Sequence, residues 1–229
     1  MSATYLARRG QLETYFDRTA AATWARLTSD APVSGIRATV RAGRDRMRAT
    51  LMSWMPADMR GVRLLDAGCG TGALAIEAAQ RGAEVVAIDL SPTLVGVARE
   101  RMPAGLRIDW RAGDMTDPAL GRFNYIVGMD SLIHYRAPDM ARVTAQLAAL
   151  ADTAVLFTFA PRTPLLTVMH AAGKLFPRSD RAPAIEPVRH LTLSSLLRAD
   201  PAMAGWRRVR TVRIASGFYT SQALELVRR

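Results

Sequence analysis

The chain has almost no cysteine, a single residue, Cys69, in 229. One thiol excludes an internal disulfide and a zinc site built on paired cysteines, and it points to a reducing compartment. Long apolar runs are missing too. The opening MSATYLARRGQLETYFDR has no apolar core of the length a secretion signal needs, and the longest apolar stretch, 147–160, is interrupted by Asp152 and Thr153. The expectation is a cytoplasmic chain with no membrane span. Acids are few beside bases, 20 against 31, and the bases are nearly all arginine, which leaves a net charge of +11. Such an excess favours an anionic partner, whether a nucleic acid, an acidic lipid surface or a carboxylate-bearing substrate, without choosing among them. Internal repeats and low-complexity segments are absent.

What is present is concentrated in LLDAGCGTG, Leu64 to Gly72. An apolar strand beginning near Arg63 ends in Asp66, and Gly68, Gly70 and Gly72 follow at every second position. Glycines let the chain turn tightly and approach a ligand, and the helix formers from Ala73 to Gln80 put a helix N-terminus directly behind the turn. A dinucleotide site has G-x-G-x-x-G, with a pyrophosphate seated on the helix end. Here the spacing is G-x-G-x-G with an acid at the strand end, which suits a ligand carrying a positive group. The pattern resembles motif I of the class I S-adenosylmethionine methyltransferases, whose cofactor has an ammonium, a sulfonium and no phosphate.

The following segments keep the same order. EVVAID, Glu84 to Asp89, is a second strand ending in an acid about 20 residues after the glycines, where a carboxylate accepts ribose hydroxyls. Asp89 is the ribose candidate, with Leu90 beside it. Ser91 and Pro92 supply an N-cap and first-turn proline for a helix through Arg101. A strand over 106–111 leads to Asp114 and Met115, and Asp114 resembles the methyltransferase residue at the adenine amino group. A fourth strand, Phe123 to Met129, brings Met129 to the same end, a helix covers 138–151 and a fifth strand 154–159. This alternation predicts a doubly wound, mostly parallel seven-stranded α/β sheet, with ligands beyond the carboxyl ends of its strands.

Before the core, Thr4 to Leu27 and Ser34 to Trp54 read as helices. The second carries Arg37, Arg41, Arg44 and Arg48 as a basic stripe. After the core, 161–187 holds five prolines around LLTVMHAAGKLF with basic flanks, and reads as a lid or a surface-hugging insertion. A short helix near 191–197 and strands over 206–215 and 218–227 close the fold. The expected organisation is one domain: a helical cap over 1–60, a cofactor-binding core over 61–160, a lid over 161–190, and a closing helix and strands over 191–229.

The loop after the fourth strand, GMDSLIHY, faces the methyl group in class I methyltransferases, which brings His134 near the chemistry. YFDRTAAATW (15–24), LIHY and TPLLTVMHAAGKLFPR (163–178) together are similar to magnesium-protoporphyrin IX O-methyltransferases of the bacteriochlorophyll type, over nearly the whole chain. One departure is that cyanobacterial and plant members tend to have Gly-Phe-x-Arg before the tryptophan, where this chain has Ala20 to Thr23. The resemblance implies S-adenosylmethionine as cofactor, S-adenosylhomocysteine as product, and magnesium only inside the porphyrin substrate. It also implies His134 and Tyr15 as the residues that orient the reacting propionate, arginines that hold the second one, and association with the magnesium-chelatase porphyrin-binding subunit; peripheral contact with anionic membrane is expected from the apolar, arginine-flanked segment 161–187. No nucleic acid partner is expected, since amino-methylating enzymes of that kind have an Asn/Asp-Pro-Pro-aromatic motif where this chain has MDSLIHY. A cofactor-binding module without turnover and a methyltransferase for another small carboxylic acid or quinone are the alternatives.

Overall fold

The computed structural model describes residues 2–19, 28, 35–162 and 185–229. Two helices, α1 (Ala3–Thr14) and α2 (Gly35–Ser53), precede a core that alternates β1 (Arg63–Ala67), α3 (Ala73–Gln80), β2 (Glu84–Asp89), α4 (Pro92–Arg101), β3 (Ile108–Ala112), β4 (Phe123–Gly128), α5 (Ala137–Leu150) and β5 (Ala151–Phe159). It closes with α6 (His190–Ala199), β6 (Trp206–Ser216) and β7 (Tyr219–Arg228). The seven strands lie in the order β3-β2-β1-β4-β5-β7-β6. The first five pair in parallel, and β7 runs antiparallel to both β5 and β6. The strand order reverses between β1 and β4, and at such a switch point the helices diverge and leave a crevice.

Both sheet faces are covered, which is why the strands read as unbroken apolar runs. Neighbouring residues serve opposite sides. Leu65, Val86, Ile126 and Phe157 pack with α1, α5 and α6, whereas Leu64, Val85, Val127 and Leu156 pack with α2, α3 and α4. Sequence expectations hold at α3, β2 and α4, where Ser91 caps the helix by accepting from the Leu94 N–H and Pro92 opens it. They shift elsewhere. β5 starts at Ala151, because Asp152 and Thr153 belong to its exposed first turn of chain and do not interrupt it. β3 is an edge strand with only Trp110 buried, so its start at Ile108 has little apolar signal.

At the N-terminus, α1 gives way after Thr14 to a wider π turn, Tyr15–Thr19. The last third of the expected first helix, and most of the expected lid, lie outside the described residues. α1 is fastened by side chains from far along the chain. Ser2 and Thr4 hydroxyls donate to Asp139 (2.6 and 3.1 Å), and the Tyr5 ring stacks on Tyr135 at 5.1 Å. Among the described residues no helix is long and apolar enough to cross a membrane.

Candidate active site at the strand switch point

A cleft opens at the carboxyl ends of β1, β2 and β4. Asp66, Gly68, Gly70, Asp89, Leu90, Met115, Met129 and His134 all line it. The Asp66 carboxylate accepts from the Ala75 N–H in the first turn of α3 (3.1 Å). Burial, then the nearby Asp89 charge, push its carboxyl up to about 7. A buried acid so poised is stabilised by an incoming cation. Asp89 is raised as well, by burial, although backbone donors offset part of the shift. Its two oxygens accept from the Gly70 N–H (2.8 Å) and the Ser91 N–H (3.0 Å). A carboxylate has about four acceptor sites, so lone pairs remain for vicinal hydroxyls. Cys69 sits in the turn, and burial drives its thiol well up, which leaves it un-ionised and inert as a nucleophile.

The three glycines divide their work. Gly68 has φ 85°, and a Cβ there would stand 2.3 Å from Ser131 Cβ, so the turn and the acceptor loop are pressed together at the cleft wall. Gly72 does not line the cleft. It precedes α3 at φ 82°, and a Cβ would meet Trp110 Cη2 at 2.4 Å. Its smallness serves packing between helix and edge strand, a role the sequence pattern assigned to ligand contact.

Asp114 also departs from its expected place. Gly113 and Met115 line the cleft, while the Asp114 carboxylate accepts from Tyr5 Oη (2.9 Å), Arg9 (2.7 Å) and Thr116. These donors hold its carboxyl below the usual range against the opposing effect of burial, and together they tie α1 to the core.

On the acceptor side, His134 ends a short 3-10 turn and is buried. Its carbonyl accepts from Arg8 Nε (2.9 Å), and the segment leading into α6 is joined to the same turn by the Glu186 N–H donating to Ile133 O (2.8 Å). Tyr15 is not among the residues lining the cleft; Phe16 is. Tyr15 meets Phe16 edge-on at 5.2 Å, and Phe16 meets His134 at 5.7 Å, so the two expected catalytic residues are joined through an aromatic ring. The Ser131 hydroxyl, at the cleft, is buried with no hydrogen-bond partner among the described residues. A desolvated hydroxyl of this kind favours a polar ligand. Three features went unassigned in the sequence: Arg41, Arg44 and Arg48 of α2 line the cleft, Arg44 pairs with Asp130 at 2.7 Å, and Asp130 is itself a lining residue. Their helical spacing was the only available signal.

A seven-stranded sheet with its last strand antiparallel, and an acid–glycine turn facing a second acid at the switch point, define a class I S-adenosylmethionine-dependent methyltransferase. A methyltransferase-domain family model matches residues 64–153, and a model for the magnesium-protoporphyrin IX methyltransferase C-terminus matches 128–228. The chain is 49% identical to the magnesium-protoporphyrin O-methyltransferase of Rhodobacter capsulatus, over 98% of this chain and 99% of that one. It is 31% identical to the Synechocystis protein of the same description, over 93% and 94%. Among solved structures, magnesium protoporphyrin IX methyltransferase from Synechocystis PCC 6803 with bound SAH superposes with a TM-score of 0.84 at 30% identity, covering 96% of this chain and 100% of that one. The chain belongs to the magnesium-protoporphyrin O-methyltransferase family.

Proposed function

We propose that this chain transfers a methyl group from S-adenosylmethionine to one propionate of magnesium-protoporphyrin IX, giving the monomethyl ester in bacteriochlorophyll biosynthesis. The observation that carries this reading is the 49% identity to the Rhodobacter capsulatus enzyme across 98% of the chain. The cleft supports it. When bound, the cofactor supplies a methyl on a sulfonium, which a carboxylate oxygen takes while the carbon–sulfur bond breaks and its electron pair stays on sulfur. Asp66 receives the ammonium, Asp89 the ribose hydroxyls, and Leu90, Met115 and Met129 form apolar walls. The ammonium and carboxylate of the cofactor share one carbon, so the partner of the carboxylate must lie near Asp66. Arg44 lines the cleft close enough for its charge to pull the Asp66 carboxyl down, and it is assigned that role.

A propionate is already ionised at neutral pH, its pKa being about 4.3, so no strong base is required. The residues instead align and desolvate one oxygen, and alignment alone lowers such barriers by roughly 7 to 11 kcal/mol. His134 and, beyond Phe16, Tyr15 are assigned that alignment. His134→Phe and Tyr15→Phe should each lower kcat by about one to two decades, the worth of one lost positioning hydrogen bond of roughly 1 to 3 kcal/mol. Cofactor affinity should stay near wild type. The assay is incubation with S-adenosylmethionine and magnesium-protoporphyrin IX, read by mass spectrometry for one added methyl. A chain that binds the cofactor but adds no methyl would overturn the reading, and wild-type turnover in both folded variants would remove the residue assignment. Docking of the chelatase porphyrin-binding subunit and contact with anionic membrane extend the proposal, and the net charge of +11 supports them.

Cofactor affinity should also depend on pH. Binding the ammonium requires Asp66 as carboxylate, so affinity should rise with pH toward about 7, the value to which burial raises this carboxyl, and fall again once the ligand's own ammonium deprotonates near about 8. Stability of the unliganded protein has the opposite sign. A carboxyl whose folded pKa exceeds its unfolded value of about 3.9 stabilises most below that value and loses the contribution as pH rises through the folded pKa. Calorimetric affinities across this range, beside melting temperatures without cofactor, check both signs, and Asp66→Asn should flatten the affinity profile.

A further inference from the structure

Asp130 is the one non-glycine residue with a left-handed backbone among the described residues, at φ 54°. Its carboxylate is 4% exposed and gathers donors from three elements. Arg44 of α2 pairs with it at 2.7 Å, Tyr219 Oη and Ser221 Oγ of β7 reach it at 3.2 and 3.1 Å, and Thr158 Oγ1 of β5 at 3.1 Å. Thr158 Oγ1 in turn accepts from the Asp130 N–H at 2.8 Å, fixing the backbone as well. A strained residue persists where its surroundings over-determine it, and such residues cluster at functional sites. Asp130 stands at the cleft wall directly after Met129.

We infer that Asp130 is a positioning residue for the cofactor's amino-acid end, acting through Arg44. Arginine is long and rotamer-rich, and a buried carboxylate on one edge of its guanidinium fixes the plane in which the remaining N–H groups point. β5 and β7 hold the carboxylate rigid, so the direction of Arg44 is set by the sheet and not by its own helix. The inference rests on the placement of the cofactor carboxylate at Arg44 given above.

The sign of one measurement separates positioning from simple charge. Removing the Asp130 charge leaves Arg44 un-neutralised, so charge alone would strengthen its attraction for the carboxylate of a ligand whose ammonium and carboxylate otherwise respond oppositely, whereas loss of orientation weakens binding. Two probes are used without porphyrin, which keeps the outcome independent of the acceptor: S-adenosylhomocysteine, and 5′-methylthioadenosine, which lacks the amino-acid group. Asn tolerates a left-handed backbone, so Asp130→Asn keeps the turn, and Asp130→Gly is a second variant that adopts it without strain. In both, S-adenosylhomocysteine should bind about tenfold more weakly while 5′-methylthioadenosine binds as to wild type. Arg44→Gln should show the same pattern, and the double variant should be no weaker than Arg44→Gln alone. Unchanged or tighter S-adenosylhomocysteine binding in the Asp130 variants, or equal weakening of both probes, would overturn the inference. No effect in Arg44→Gln would overturn the cofactor placement beneath it.

Discussion

Asp89→Ala should bind S-adenosylmethionine about ten- to a hundredfold more weakly than wild type. A charge-assisted hydrogen bond contributes roughly 1.5 to 3 kcal/mol, and each 1.4 kcal/mol is a factor of about ten in affinity. Two losses combine at this position. In the proposed role the carboxylate offers acceptor sites to the ribose, and it also accepts from the Gly70 and Ser91 N–H groups, so it organises the glycine turn and the start of α4 together. Alanine leaves both backbone donors facing a site with no acceptor. Calorimetry gives the answer directly, and a dissociation constant equal to wild type would remove Asp89 from the cofactor site. Asp66→Ala should differ in kind, since its loss removes the pH dependence of binding together with affinity.

Gly72→Val should lower stability by about 3 kcal/mol. A left-handed backbone costs an L-residue roughly 1 to 2 kcal/mol, and crowding a packed interior costs about 1 to 3 more. Gly72 has φ 82°, and its missing Cβ would fall 2.4 Å from Trp110 and 3.0 Å from Ala98. Neither neighbour can yield cheaply, because Trp110 is the buried ring of β3 and Ala98 belongs to the packed face of α4. For a domain of this size each kcal/mol shifts the melting temperature by about 2 to 4 °C, so a fall of roughly 6 to 12 °C is expected in thermal unfolding. A melting temperature within a degree of wild type would refute the packing role.

The cleft at the carboxyl ends of β1 and β2 was legible because its signals are local. The acid, the glycines and the helix behind them lie within twenty residues, and the alternation of apolar strands with capped helices sets which end of the sheet they occupy. Residue type did not reveal side-chain direction. Asp114 follows its strand as expected, yet its carboxylate turns to Tyr5 and Arg9, because α1 packs where a ligand was expected to reach it. Gly72 fits the motif and yet serves Trp110, since the edge strand β3 passes behind the turn. The convergence on Asp130 was beyond reach for another reason. Arg44, Thr158, Tyr219 and Ser221 are far apart in sequence and meet only because β7 inserts beside β5 while α2 packs across the same end of the sheet. The arginines of α2 were recognised as one face of a helix, but a sequence does not say what that face looks at.

The fastening of α1 has a consequence for the order in which the chain assembles. Its first turn is bonded to Asp139, 137 positions away, and Tyr5 is bonded to Asp114, 109 positions away. During synthesis this helix is made before either partner, and both bonds wait until about half of the described fold has followed it. Closing a loop of that size brings an entropic cost that the terminal contacts repay only once the sheet exists. A helix made before the strands therefore docks after them, and the cleft acquires its roof after its floor has folded.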